Sequence, residues 1–482
     1  MPYVTVDGKL REECGVLGLY GRGLDVARLG YFGLFALQHR GQESAGLAVT
    51  NGKEIKTHRG LGLVAEVFTE ADIASLGTID AHIAVGHVRY STAGGGGLAN
   101  SQPLVASHLR GHVALAHNGN LVNSDKLREE LEGQGTIFHT TSDTEVILSL
   151  MARYRQSGNE NALVQALTHV QGAYSLALGT DTELIGVRDP RGFRPLCLGQ
   201  IGNEGYVLAS ESAAIDALGG KFLRDIQPGE IVVIDERGVR FKRFAESPVS
   251  ACVFEYIYFA RNDSTIDGLN VYRARQELGR QLAKEHPAAA DIVISVPDSG
   301  TPAALGYAAA ANLPFAEGLV KNRYVGRTFI EPGQALRELK VRLKLTANTE
   351  VIAGKRIVMV DDSIVRGTTT QILVKMLRQA GASEVHVRVS CPPYLSPCYF
   401  GIDTPSTAEL VAARCGVQEM CALLGADSLG FLSLAGTLAA LSPAQVPACV
   451  SCFTGVYPMP IAKLKTEADL NRKADDWGDV RG

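Results

Sequence analysis

The sequence lacks a strong charge of either sign. Lys and Arg total 47 against 51 Asp and Glu, a formal net charge of −4 over 482 residues. No basic field is present to draw nucleic acid or an anionic membrane surface, and neither is expected as a partner. Long apolar runs are also missing. Residues 423–441, the most apolar late stretch, are broken by Asp427 and by several Ser and Gly, so they read as core and not as a membrane span. Residues 1–13 carry Asp7, Lys9, Arg11, Glu12 and Glu13, with no apolar segment of the kind a secretory signal needs. Cysteines number nine, an odd and scattered set unsuited to a disulfide scaffold, and the expected compartment is a reducing cytoplasm. There is no internal repeat of solenoid period and no Gly-x4-Gly-Lys phosphate loop.

Glycine, by contrast, is abundant at 52 residues without matching Pro or Ser repeats, which points to backbone-built binding loops. The length favours two or three domains. Up to about residue 228, short apolar strands such as AHIAVGHVRYST (81–92), HVALAHNGNL (112–121) and AYSLALGT (173–180) alternate with glycine turns. Two helical patterns, 124–135 and 143–157, lie among them. Ser124 and Asp125 are expected to cap the first. This is a layered α+β texture. Beyond a boundary near residue 245, ADIVISVPDSG (290–300) and residues 354–390 read as strand, loop, helix, strand, the βαβ grammar of a parallel, doubly wound sheet.

The sharpest local signal is VMVDDSIVRGTTT (358–370). An apolar run delivers Asp361 and Asp362 to the C-terminal edge of a sheet, where open α/β folds bind ligands. Arg366, Gly367, Thr368, Thr369 and Thr370 then open a helix, offering N–H groups, hydroxyls and the positive end of a helix dipole to a phosphate. Paired carboxylates suit ribose hydroxyls, held directly or through a hard cation such as Mg2+. Between VPDSG (296–300) and this loop stand Lys321, Arg323, Arg327, Arg337, Lys340, Arg342 and Lys344, with Gly326 and Gly333. That stretch is either a solvated basic loop or a lid closing over an anionic leaving group, with Arg327 the leading candidate.

A second set of motifs lies before residue 150: CGVLG (14–18), LQHRGQESAG (37–46), GHVRYSTAG (86–94), HNGNL (117–121) and SDTE (142–145). Singly, each has an ordinary reading. Cys14 fits a small core residue, His39, His87 and His117 fit structural histidines, and Asn118-Gly119 fits a hairpin turn. Late in the chain, Cys449-Val-Ser-Cys452 fits a zinc half-site, a redox pair or buried thiols.

Together and in this order, these motifs resemble the amidophosphoribosyltransferase (glutamine phosphoribosylpyrophosphate, PRPP, amidotransferase) family, in its iron–sulfur, leader-bearing subgroup. The resemblance runs from Cys14 to about Pro458. It implies a four-layer αββα N-terminal-nucleophile glutaminase domain (14–245) and then an α/β type I phosphoribosyltransferase domain (246–460). A removable leader (1–13) and a charged tail (461–482) flank them. The implied reaction turns PRPP, glutamine and water into phosphoribosylamine, glutamate and pyrophosphate, the first committed step of purine synthesis, with ammonia passed internally.

The roles the resemblance implies are as follows. Cys14 attacks the glutamine amide, Asn118 and Gly119 form the oxyanion hole, and Arg89, Thr92 and Asp143 hold the two ends of the amino acid. Asp361, Asp362 and Ser299 serve ribose and one Mg2+ per subunit; Arg366 to Thr370 cradle the ribose phosphate, and Lys321 and Arg327 face pyrophosphate. Cys252, Cys398, Cys449 and Cys452 hold one [4Fe–4S] cluster per subunit, while Cys197, Cys391, Cys415 and Cys421 are packing. Tyr258 lines the ammonia passage, and Asn262 stands where the family usually has Pro, which bears on the rigidity of that turn. Purine nucleotides as feedback inhibitors and a homotetramer are also implied.

Leader removal also suits the chemistry of Cys14. An α-amine has a pKa of about 7.7–8.0 and can serve as a base, whereas the amide nitrogen of an uncleaved chain cannot. Two rivals differ in class: an amidotransferase for another acceptor, disfavoured by 358–370, and a PRPP-binding regulator without turnover, disfavoured by Cys14, Arg89, Asn118 and Asp143.

Overall fold

A computed structural model describes residues 14–90, 97–108, 111–154, 158–322, 324, 339, 341–404 and 406–461. Thr92, Arg323, Arg327, Arg337, Lys340, the expected leader and residues 462–482 lie outside the described residues.

Period-2 patterning builds the first half. In the strand Gly15–Tyr20, Leu17 and Leu19 join a core shared with the helices Val26–Ala36 and Glu70–Gly77. Val16 and Tyr20 point the other way, into a core between two sheets. The strand Gly111–Leu121 splits likewise, with Ala114 and Ala116 facing the first sheet and Val113 and Leu115 facing the helices Ser124–Glu132, Asp143–Arg153 and Asn159–Leu167. A seven-stranded and a six-stranded sheet thus pack face to face with helices outside, four layers in all. Within each sheet the paired strands run antiparallel.

The strand expected over 112–121 forms as Gly111–Leu121 and holds Asn118-Gly119 inside it, opposite Ser175 and Tyr174, so the ordinary hairpin-turn reading of that pair does not apply. One local expectation needs correction. Ser124 is not a cap but the first helical residue. The cap position belongs to Asn123, whose side chain is spent bridging His169 O and Gln171 N.

The second half holds four parallel strands, Ile292–Ser295, Arg356–Asp361, Glu384–Val389 and Ser428–Phe431, in that order. After Ile292–Ser295 the chain runs through Thr301–Ala311 to Phe315, which bridges Val293 on the opposite edge. The direction of winding therefore reverses between Ile292–Ser295 and Arg356–Asp361. That reversal opens a crevice at their carboxyl ends, the place where ligands enter such sheets.

The two halves are joined by buried polar contacts. Arg188 pairs with Asp267 at 2.6 Å and Arg40 with Glu255 at 2.7 Å. Arg194 donates to Phe400 O, and the Phe193 and Phe400 rings stack at 4.2 Å.

Candidate active sites and a cysteine-lined cavity

Cys14 immediately precedes the strand Gly15–Tyr20, and the register Gly15↔Val88 sets it beside Arg89 at the end of Ile83–Arg89. Its thiol is buried and donates to Tyr90 O at 3.4 Å. Burial pushes its pKa up to about 11 in the uncleaved chain, with Glu43 and Asp143 adding to the rise and Arg89 opposing it. The Cys14 carbonyl accepts from Arg40 Nε at 3.1 Å.

The second sheet comes to the same place. His87 Nε2 meets His117 O at 3.0 Å across the sheet interface, bringing Asn118 and Gly119 over residues 87–89. Asn118 is buried, and its Nδ2 has no protein partner among the described residues. A buried amide donor is rarely left idle, so this one is set up for an acceptor that the chain itself does not supply. Gly119 has φ +143°, and a Cβ there would lie 2.1 Å from Ala173 O. Gly401, from the second half of the chain, covers it: a Cβ at 401 would sit 3.1 Å from Gly119 Cα.

Asp143 opens the helix Asp143–Arg153, accepts from Leu121 N at 2.9 Å and sits 3.5 Å from His117 Nδ1. Burial works against its charge, but His117, the Leu121 N–H and Arg89 hold its pKa below the usual carboxylate value. His87 is fully buried, and burial lowers it to about 3, so it stays neutral. His39 is bound to Glu211 at 2.7 Å.

At the crevice of the parallel sheet, Asp361 ends its strand and both acids are 1% exposed. Asp361 Oδ1 accepts from Asp362 N at 2.9 Å. Asp362 accepts from Ser363 Oγ at 2.6 Å and from Ser299 Oγ of the facing loop, so the two loops touch across the reversal. Gly367, at φ +78°, leads into the helix Thr368–Gln379, where Thr370 is buried. Arg366 is held by Glu409 at 2.9 Å, and Lys321 is paired with Asp298. Farther along the basic stretch, Arg342 bonds Gln379 at 2.8 Å.

The short strands Ala251–Cys252 and Ala448–Cys449 pair in parallel, setting Cys252 opposite Cys449. One cavity is lined by Cys252, Cys398, Cys449 and Cys452 with Phe193, Arg194 and Phe400. None of these cysteines is in a disulfide. Burial raises Cys252 to about 12 and pushes Cys452 well above its ordinary value. Cys398 Sγ accepts from Phe400 N at 3.3 Å. Cys197, Cys391, Cys415 and Cys421 each donate to a nearby backbone carbonyl.

No sequence motif marks the charges that link the halves. Arg40 donates to Glu211 and to both oxygens of Glu255, all buried. Arg40 stands inside LQHRGQESAG, but its pairing with Glu211 and Glu255 spans 171 and 215 positions. Asn262, which stands where the family usually has Pro, is tethered: its Oδ1 accepts from Arg275 at 2.6 Å.

Fold and site together define a glutamine amidotransferase joined to a phosphoribosyltransferase. Residues 87–217 match the glutamine amidotransferase domain family and residues 267–407 the phosphoribosyl transferase domain family. The chain is 48% identical to the amidophosphoribosyltransferase of Bacillus subtilis over 94% of this chain and 95% of that protein. It is 50% identical to that of Archaeoglobus fulgidus over 93% and 98%. The solved structure of the B. subtilis glutamine PRPP amidotransferase complexed with ADP and GMP superposes with a TM-score of 0.87 at 47% identity, covering 94% of this chain and 99% of that one. A structure described as the allosteric regulatory enzyme of purine biosynthesis gives 0.88 at 47%, with 94% and 98% covered. The chain belongs to the amidophosphoribosyltransferase family.

Proposed function

We propose that this chain makes phosphoribosylamine from PRPP and glutamine at two sites, with Cys14 as nucleophile. The observation that carries the reading is the idle, buried Asn118 amide beside Cys14 and Arg89, on a chain whose other half presents Asp361 and Asp362 at a sheet reversal. Cys14 Sγ attacks the side-chain amide carbon of glutamine as its thiol proton passes to the Cys14 α-amine, and Asn118 Nδ2 and Gly119 N–H stabilise the oxyanion. The C–N bond then breaks, ammonia leaves with a proton from the Cys14 amine, and water hydrolyses the glutamyl thioester to glutamate. Arg89 binds the substrate carboxylate; Asp143, with Thr92, binds its ammonium. Release of residues 1–13 supplies the amine. A buried thiol at about 11 is otherwise a poor nucleophile at neutral pH.

At the second site Asp361 and Asp362 hold the ribose hydroxyls, while the turn 366–370 takes the ribose phosphate. Lys321 and Arg327 would supply positive charge for pyrophosphate. Ammonia attacks the anomeric carbon as its bond to pyrophosphate oxygen breaks. The passage past Tyr258 keeps water from competing for that carbon.

Two groups fit residues present. Asp361, Asp362 and Ser299 suit one Mg2+, which is held by one or two carboxylates plus substrate phosphates and would neutralise pyrophosphate charge. Among the described residues no three His, Cys, Asp or Glu converge on a single ion. That Cys252, Cys398, Cys449 and Cys452 border one cavity supports a [4Fe–4S] cluster held by these four thiols, whose role would be structural. Feedback by purine nucleotides follows from the ADP and GMP bound by the B. subtilis relative. A homotetramer and a cytoplasmic setting complete the reading, and among the described residues no helix is long and apolar enough to cross a membrane.

The test is Cys14→Ala. Loss of glutamine-dependent synthesis with ammonia-dependent synthesis retained supports two sites; loss of neither overturns the assignment of Cys14.

A further inference from the structure

Tyr394 sits in the core of the second half, 1% exposed, yet its hydroxyl has no hydrogen-bond partner among the described residues. A buried tyrosine normally finds one, because an idle hydroxyl forfeits the bond it made to water. Its surroundings point to the missing acceptor. The ring packs edge-on against Phe254 and Phe453, with centroids 5.5 and 6.4 Å away. Phe254 is two residues past Cys252, and Phe453 directly follows Cys452. The backbone beyond Tyr394 is tied to the same place: the Leu395 and Ser396 N–H groups both donate to Cys452 O, at 2.9 and 3.0 Å. Cys398 lies four residues on. Burial raises the Tyr394 hydroxyl well above its ordinary pKa, and the thiols of Cys452, Cys398 and Cys252 add to the rise. Three of the four thiols that border the cavity thus act on this one oxygen.

The cavity itself is short of donors on that side. Phe400 N donates to Cys398 Sγ at 3.3 Å, and Arg194 stands at the wall. Among the described residues no hydrogen bond reaches the sulfur of Cys252 or Cys452. Thiolates and sulfide gathered on iron in a buried site carry net negative charge, which donors must offset. Tyr457 gives the contrast. Burial, Tyr399, Cys398 and Cys452 raise its hydroxyl too, but that hydroxyl is spent on Pro397 O at 2.6 Å.

We infer that Tyr394 is a positioning residue of the cysteine site, its O–H donating to a sulfur of the [4Fe–4S] cluster on the Cys452 side. The inference rests on the cluster reading above. Hydrogen bonds to the sulfurs help set the properties of such a cluster, and outer partners of this kind hold metal in place.

The experiment uses the full-length enzyme purified anaerobically, as wild type, Tyr394→Phe and Tyr457→Phe. Tyr394→Phe keeps the ring and its packing and removes an oxygen that bonds nothing in the chain, so it is expected to fold. Two quantities are read: the Fe–S stretching bands by resonance Raman in water and in heavy water, and the rate at which an iron chelator strips the protein. In wild type the exchangeable Tyr394 hydrogen should make part of the Fe–S bands sensitive to heavy water. In Tyr394→Phe that sensitivity should shrink and the bands should move to higher frequency, because a hydrogen bond weakens the Fe–S bonds of the sulfur it reaches. Iron loss should be about tenfold faster or more, the usual cost of an outer partner. Tyr457→Phe should match wild type in both readouts. A Tyr394→Phe protein that purifies without iron while Tyr457→Phe holds it is the same result in stronger form. Unchanged bands in Tyr394→Phe, whatever the rate of iron loss, overturn the inference and leave the hydroxyl to a buried water. An equal change in Tyr457→Phe overturns it as well. Wild type without iron or Fe–S bands overturns the cluster reading beneath it.

Discussion

Gly119→Ala perturbs the oxyanion site with little change in chemistry. The residue sits at φ +143°, a conformation that L residues rarely adopt, and the added methyl would lie 2.1 Å from Ala173 O. The obstacle is backbone of the neighbouring strand and cannot rotate away. Either the strand Gly111–Leu121 shifts, or residue 119 changes conformation at a cost of about 1–3 kcal/mol. In both cases its N–H leaves the position required by the oxyanion. Removing one such donor costs about 2.7–4 kcal/mol, or roughly 10²–10³ in kcat. The assay is the glutaminase kcat of the purified variant, with ammonia-dependent synthesis as internal control. The expected result is a kcat about two orders of magnitude down with the control near wild type. A variant that hydrolyses glutamine within about threefold of wild type would refute the assignment of Gly119.

Other perturbations reach the remaining parts. Asp362→Asn removes one of the paired acids joined to Ser299, and ammonia-dependent synthesis should fall about 10²-fold or more while glutamine hydrolysis without PRPP is kept. His87 is held neutral, its folded value near 3 lying below the ordinary 6.5. The unfolded chain therefore binds a proton that the folded chain refuses between those values. Stability should fall as pH drops from 6.5 towards 3, by up to about 1.4 kcal/mol per pH unit from this group, and denaturant midpoints of His87→Asn should show a shallower decline. Cys452→Ser should abolish iron binding, read as iron per chain after anaerobic purification. Wild type without iron under those conditions would remove the cluster from the reading.

The parts legible in sequence were those with local causes. Asp361, Asp362 and the turn at 366–370 follow one another along a single strand–loop–helix, so their placement at a sheet edge could be read directly. A layered α+β texture showed in the short apolar strands and glycine turns, whereas the four-layer arrangement came only with the family resemblance, and neither told which face each residue took. Taken alone, the Asn118-Gly119 dipeptide favours a turn, although it lies in the run 112–121 that reads as a strand. The long register with Gly172–Thr180 overrides that preference and makes the pair part of a strand. Asn262 in place of Pro left the rigidity of its turn open, because the acceptor role of its side chain depends on Arg275, one helix later. Least legible were the bonds between domains. Arg40, Glu211 and Glu255 carry no spacing signal, and only the folded chain shows that their charges meet. The same holds for Gly401 against Gly119, where absence of a side chain makes the contact.

The most direct test of Cys14 as a self-assisted nucleophile is the intact mass, under denaturing conditions, of anaerobically purified enzyme that hydrolyses glutamine. The expected mass is short by residues 1–13, leaving Cys14 with a free amine. A full-length or Met-trimmed mass in fully active protein would contradict it, because a buried thiol with a pKa of about 11 behind an amide nitrogen would then need another base.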